Sequence, residues 1–154
     1  MSMFDNYTQN TSGNNMHTFL DIEELDEIII GGTATHIFTL NFSYSGQSGC
    51  TGYEIFYKQS LTDILYFTNT AVGQPVSIEE NNGKTTITVT LEPYNTEKFV
   101  PYRETFAQLK LHMKDGSTLF GDINGIIVKD TLEPKPTVET TYQEATIDDL
   151  VPLL

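Results

Sequence analysis

The sequence is poor in cysteine, in basic residues and in long apolar runs, and each scarcity removes a class of function. Its single cysteine, Cys50, excludes an internal disulfide framework and any cysteine-based zinc site. Only 8 Lys and Arg stand against 21 Asp and Glu, a formal net charge of −13, which argues against nucleic acid as a partner because neutralising phosphates needs clustered bases. No run approaches the ~18 to 20 consecutive apolar residues that cross a bilayer. The opening MSMFDNYTQN has neither a basic start nor an apolar stretch, so no membrane partner and no secretion are expected.

What is present is enough for one core. With 154 residues, 38% hydrophobic and 11% aromatic, the chain suits a single domain. The charge is uneven: residues 1–27 hold six acids and no base, and residues 133–154 hold five acids against Lys135. The ends therefore carry −6 and −4 and the middle only −3.

Residues 1–18 are rich in Asn, Thr, Ser, Gln and Gly and show no period of 2 or 3.6. Phe19 to Leu25 reads either as one amphipathic turn or as an extended acidic lead into the first strand. These features define an expected polar and acidic arm over residues 1–26, a β-domain over 27–132, and an acidic tail over 133–154 that ends in an apolar pentapeptide.

Within the middle, period-2 alternation dominates. His36, Phe38, Leu40, Phe42 and Tyr44 share one face, as do Tyr53, Ile55 and Tyr57. Thr85, Ile87, Val89 and Leu91 alternate with threonines, and Ala107, Leu109, Leu111 and Met113 alternate with polar residues. Asn81-Asn82-Gly83-Lys84 and Asp115-Gly116 are hairpin signals, because Asn and Gly tolerate the positive φ of tight turns. Pro93 to Phe99 breaks the alternation and fits one helical turn in a crossover between sheets. Thr118 to Lys129 returns as a strand with Gly121 and Gly125 at bulges or close backbone approaches. The expectation is an all-β antiparallel sandwich of about seven to eight strands, with a small barrel as the alternative.

Catalytic and metal chemistry finds no support in the pattern. The three histidines have no metal-ligand spacing, His36 falls on an apolar strand face as a core or interface residue, and His112 points outward. The acids from Asp21 to Glu27 lack the loop that wraps calcium. P-loop, Gly-x-Ser-x-Gly and Gly-x-Gly-x-x-Gly patterns do not occur, so no enzyme activity and no cofactor are expected.

The segments Gly31 to Phe42, Tyr53-Glu54-Ile55-Phe56-Tyr57, Thr85 to Leu91 with Thr96-Glu97-Lys98-Phe99, Ala107 to Leu111 with Asp115-Gly116, and Ile126 to Leu132 follow one another in a distinctive order. In that order residues 27–132 resemble small virion proteins of phages and prophages of Gram-positive bacteria. The resemblance implies an immunoglobulin-like or baseplate-upper-protein-like sandwich that decorates a capsid or joins tail and baseplate parts. It further implies a place in the virion after synthesis in the host cytoplasm. Its partners would be copies of itself or a capsid or tail protein in a large symmetric assembly, and it carries no catalytic residues.

Candidate assembly contacts are the apolar residues at the two ends: Phe19, Leu20 and Ile22, and Leu150, Val151, Leu153 and Leu154. An apolar pentapeptide on a polar tether loses burial when left in water, so it is expected to pack against its own domain or a neighbour. The sixteen residues from Pro134 to Asp149 reach about 50 Å when extended, enough to pass the edge of the domain. Two rival readings remain open: an acidic mimic of nucleic acid that blocks a host enzyme, and a carbohydrate-binding sandwich that stacks Tyr and Phe on sugars. The absence of Trp weakens the latter.

Overall fold

The computed structural model describes residues 19–132. Eleven strands and one helical turn follow in order: β1 Leu20–Leu25, β2 Ile28–Ile29, β3 Ala34–Leu40, β4 Cys50–Gln59, β5 Thr62–Thr68, β6 Val76–Asn81, β7 Lys84–Leu91, α1 Pro93–Thr96, β8 Thr105–Met113, β9 Thr118–Phe120, β10 Asn124–Ile126 and β11 Val128–Lys129. They form the expected all-β sandwich. One sheet has the order β1-β3-β7-β6, and the larger has the order β9-β8-β4-β5 with β10 also paired to β8. All pairs in both sheets are antiparallel. The count exceeds seven or eight because the margins are made of short pieces, among them a parallel ribbon of β2 with β11.

The alternating pattern sets which face is buried. From the smaller sheet Phe38, Leu40, Ile87, Val89 and Leu91 point inward, and from the larger Tyr53, Ile55, Tyr57, Leu65, Phe67, Leu109 and Leu111 meet them. The β-branched residues of β7 suit the pleated surface they form. Asn82 and Gly83 take φ of 53° and 77°, the left-handed pair that a two-residue hairpin between β6 and β7 demands. The residues around Pro93 form the helical turn, and the chain crosses there from β7 to β8.

Three local expectations change. Residues 20–25 are a paired edge strand, with Leu20 opposite Leu40 and Leu25 opposite His36, so the sheet begins before residue 27. Of the two readings of this stretch, the extended one is found, and its exposed Asp21 and Glu24 suit an edge because charge discourages pairing with foreign strands. The third strand stops at Leu40 and does not reach Tyr44. Its ladder is replaced by the Thr85 hydroxyl, which donates to the Phe42 carbonyl and accepts from the Tyr44 amide, each at 2.8 Å. Finally, the return from Thr118 to Lys129 is three short strands. Gly121 marks the first break: its amide donates to the Leu109 carbonyl at 2.8 Å, and a Cβ there would lie 3.0 Å from a Leu20 methyl.

Candidate functional site

Strand alternation that sends Tyr53, Ile55 and Tyr57 into the core must send Glu54, Phe56 and Lys58 to the outer face of the larger sheet. The same rule applied to β8 puts Phe106, Gln108, Lys110 and His112 outside. Register then brings the two sets together. Phe56 lies between Tyr66 and Gln108, Lys58 is opposite Phe106, and Glu54 and Phe120 flank Lys110.

The result is an aromatic surface where a solvated sheet face is normally polar. Phe56, Phe106, Phe120 and Ile123, with Lys58 and Gln108, line an open depression of about 630 Å³. Ile123 is 67% exposed and Leu61, at its edge, 93% exposed. Phe56 stacks on Tyr66 with ring centroids 5.4 Å apart, and the Lys110 ammonium sits 5.4 Å from the centre of the Phe120 ring. Such stacking and cation contacts hold the rings in fixed positions, each worth roughly 0.5–1 kcal/mol at an exposed site.

Beside the aromatic floor is a polar cluster centred on Glu54. The Tyr66 hydroxyl donates to one carboxylate oxygen at 2.7 Å, and the other faces the His112 Nε2 and the Lys110 ammonium, the latter at 3.4 Å. Hydrogen bonding from Tyr66, followed by His112 and Lys110, holds the Glu54 carboxyl below the usual carboxylate range. The same Glu54 contact raises the Tyr66 phenol. The cluster brings a carboxylate, an imidazole, an ammonium and a phenol together beside the aromatic floor.

Two polar devices inside the sandwich are structural. His36, fully buried, is bonded to the Tyr57 hydroxyl and the Asp26 carbonyl, and burial lowers its pKa. Cys50 is buried 3.7 Å from the Met113 sulfur, and burial pushes its thiol up to about 11, away from thiolate reactivity. Among the described residues there is no group of three or more His, Cys, Asp or Glu that could hold a metal ion, and no helix is long and apolar enough to cross a membrane.

The expected assembly contacts separate. Phe19 is 7% exposed and belongs to the domain's own core, where its carbonyl accepts from the Asn41 amide at 3.0 Å. It is therefore not a free contact, because its burial is already used in the fold. Leu20 packs partly against the same core, while Ile22 stands 48% exposed on the edge strand. Leu150, Val151, Leu153 and Leu154 lie outside the described residues. The aromatic face was not singled out from sequence, although a signal exists: Phe56 and Phe106 occupy outward positions in strands whose alternation is otherwise polar outside.

No family model and no curated protein matches the chain. Among solved structures the fold is similar to one described as "Structure of Astrotactin-2, a conserved vertebrate-specific and perforin-like membrane protein involved in neuronal development". The two share 10% identity with a TM-score of 0.46, over 88% of this chain and 25% of that one. This chain thus spans about a quarter of that protein's length, and a likeness of that degree carries no argument about function.

Proposed function

We propose that this chain is a structural or accessory protein of a bacteriophage virion, a capsid decoration or a tail or baseplate adaptor, that works by assembling with other protein subunits. The observation that carries the reading is the outer face of the larger sheet. Phe56, Phe106, Phe120 and Ile123 form an apolar centre, with Lys58, Lys110 and the Glu54 cluster around it. An aromatic centre within a polar rim is the anatomy of a protein interface. Rigid strands hold it in register, so little conformational entropy opposes docking. The resemblance of the sequence pattern over residues 27–132 to small virion proteins supports the particle as its setting.

The test replaces Phe56 and Phe120 by Ser in the full chain and measures how much of it enters particles made by cells that supply only the variant. Both residues stand on the outer face, so cooperative melting is retained. Incorporation at least tenfold below that of the wild type is expected. Normal incorporation of a folded variant overturns the reading.

One observation favours a carbohydrate-binding role as a second reading. Tyr66 is 50% exposed, backed by Phe56, with Gln108 two strands away in the same row, an arrangement on which a sugar ring can stack. Against it, the Glu54 carboxylate already has three partners and offers little to sugar hydroxyls. Titration with soluble oligosaccharides, with Tyr66→Ala as the control, separates the two.

A further inference from the structure

The aromatic depression needs a cover, and residues 147–154, Ile-Asp-Asp-Leu-Val-Pro-Leu-Leu, have the matching chemistry. We propose that in the free chain its own residues 150–154 occupy the depression lined by Phe56, Phe106, Phe120 and Ile123, capping the face until an assembly partner displaces them. The inference rests on reading this face as the docking surface and names its first occupant.

Three arguments select this occupant. The first is reach. Ile123, on the rim, precedes Leu132 by nine residues, which span at most about 30 Å. The sixteen residues 134–149 span about 50 Å at full extension, more than the distance from Leu132 to the rim, so the length of chain lets residues 150–154 reach the depression. A segment of the same chain meets the face without the concentration dependence that a second copy must overcome.

The second is the mode of contact. Pro152 has no amide hydrogen and cannot continue a strand ladder, so residues 150–154 are poorly suited to extending a free sheet edge. Their affinity must come from the side chains of Leu150, Val151, Leu153 and Leu154, which call for an apolar cavity. A volume of about 630 Å³ falls within the roughly 300–1,000 Å³ typical of ligand pockets.

The third is charge. Asp148 and Asp149 immediately precede the apolar residues, and the described residues 19–132 hold 15 acids against 7 bases, so few places on the domain offer them a cation. Lys58 lies on the lining of the depression and Lys110 beside its Phe120 wall. Lys58 is held only loosely by the exposed Asp63 at 3.4 Å, whereas Lys110 is already paired at 3.4 Å with Glu54, so Lys58 is the cation that can turn to the two acids.

The test uses a labelled synthetic peptide of residues 147–154 and the full chain. The peptide is expected to bind a Leu150→Ser/Leu153→Ser/Leu154→Ser chain at least tenfold more tightly than the wild type, whose own segment blocks the site. Adding Phe120→Ser and Ile123→Ser to that chain abolishes binding. A Lys58→Glu substitution in the same background weakens binding several-fold without altering the apolar lining. Equal binding to wild type and tail variant, or binding to neither, overturns the proposal. So does a wild-type oligomer that the three Leu→Ser substitutions dissolve, since the segment then serves a second copy. Peptide binding and particle incorporation are separate readouts. A chain that binds the peptide yet is missing from particles refutes the assembly reading alone, and a chain that enters particles without binding the peptide refutes the cap alone.

Discussion

The hydroxyl of Tyr57 donates to Nδ1 of His36 at 2.7 Å, and this contact fixes the histidine as the neutral Nε2–H tautomer. The other ring nitrogen faces the Asp26 carbonyl at 2.8 Å, which can only accept, so the proton sits on Nε2 and Nδ1 offers its lone pair to Tyr57. Both residues are fully buried, one from each sheet, and their rings stack with centroids 5.6 Å apart. Tyr57→Phe leaves Nδ1 without a donor at the centre of the core and is expected to cost about 1–3 kcal/mol in chemical denaturation at pH 7. Because burial depresses the folded pKa of His36, its contribution is fully present above the ordinary value of 6.5 and is lost as pH falls below it toward the folded value. A stability-versus-pH curve should therefore decline just below pH 6.5 in the wild type and stay flat there in His36→Gln.

Gln59 fastens the crossover to the larger sheet. Its amide nitrogen donates to the Val100 carbonyl at 2.8 Å and to the Thr105 hydroxyl at 2.9 Å, and its oxygen accepts from the Val100 amide at 2.8 Å. Gln59→Leu keeps the volume but removes all three bonds. Val100 is 41% exposed, so water replaces part of the loss, and a destabilisation of about 2 kcal/mol is expected by denaturant titration. A change below a few tenths would mean that the crossover is held by other contacts.

Much of the fold was legible because its signals are local. Asn82-Gly83 dictates a hairpin by its own dihedral preferences, and the Thr85 to Leu91 alternation dictates a face whatever lies opposite. Leu20–Leu25 was ambiguous since an edge strand needs only one apolar side, and acids at 21, 23 and 24 hide its period. The aromatic face was less legible still. Phe56, Phe106 and Phe120 are distant in sequence and meet only through the register of β4, β8 and β9, which no local pattern contains. Tyr57 and His36 were likewise separate residues until the two sheets closed.

The Glu54 cluster titrates in a window set by its depressed carboxyl. A group whose folded pKa lies below its ordinary 4.5 contributes stability above that value and loses it as pH falls through the folded one. Glu54→Gln should cost about 1–2 kcal/mol at pH 7, a charged hydrogen bond from Tyr66 discounted for partial exposure of the lysine and histidine. The gap between variant and wild type should close as pH drops well below 4.5. In Tyr66→Phe the largest cause of the depression is gone, so the closure moves to higher pH. An equal gap at all pH values would show that the variant acts through packing.

The boundary of the domain lies before β1 and not at residue 27. Phe19 is buried, Leu20 and Leu25 pack partly against the core, and the edge of β3 that carries His36 is covered by β1. A fragment of residues 19–132 is expected to melt cooperatively, because every strand of the described residues and its buried partners are kept. Removing residues 19–26 as well exposes Phe19's pocket, worth about 1.5–3 kcal/mol, and strips the hydrogen bonds that pair β1 with β3. It also deletes Asp26, whose carbonyl is the acceptor for His36. At about 4–8 °C per kcal/mol for a domain of this size, the 27–132 fragment should melt roughly 15 °C or more below the longer one, followed by circular dichroism. Equal melting temperatures would mean that β1 decorates the sheet without supporting it, and that the exposed edge of β3 tolerates water.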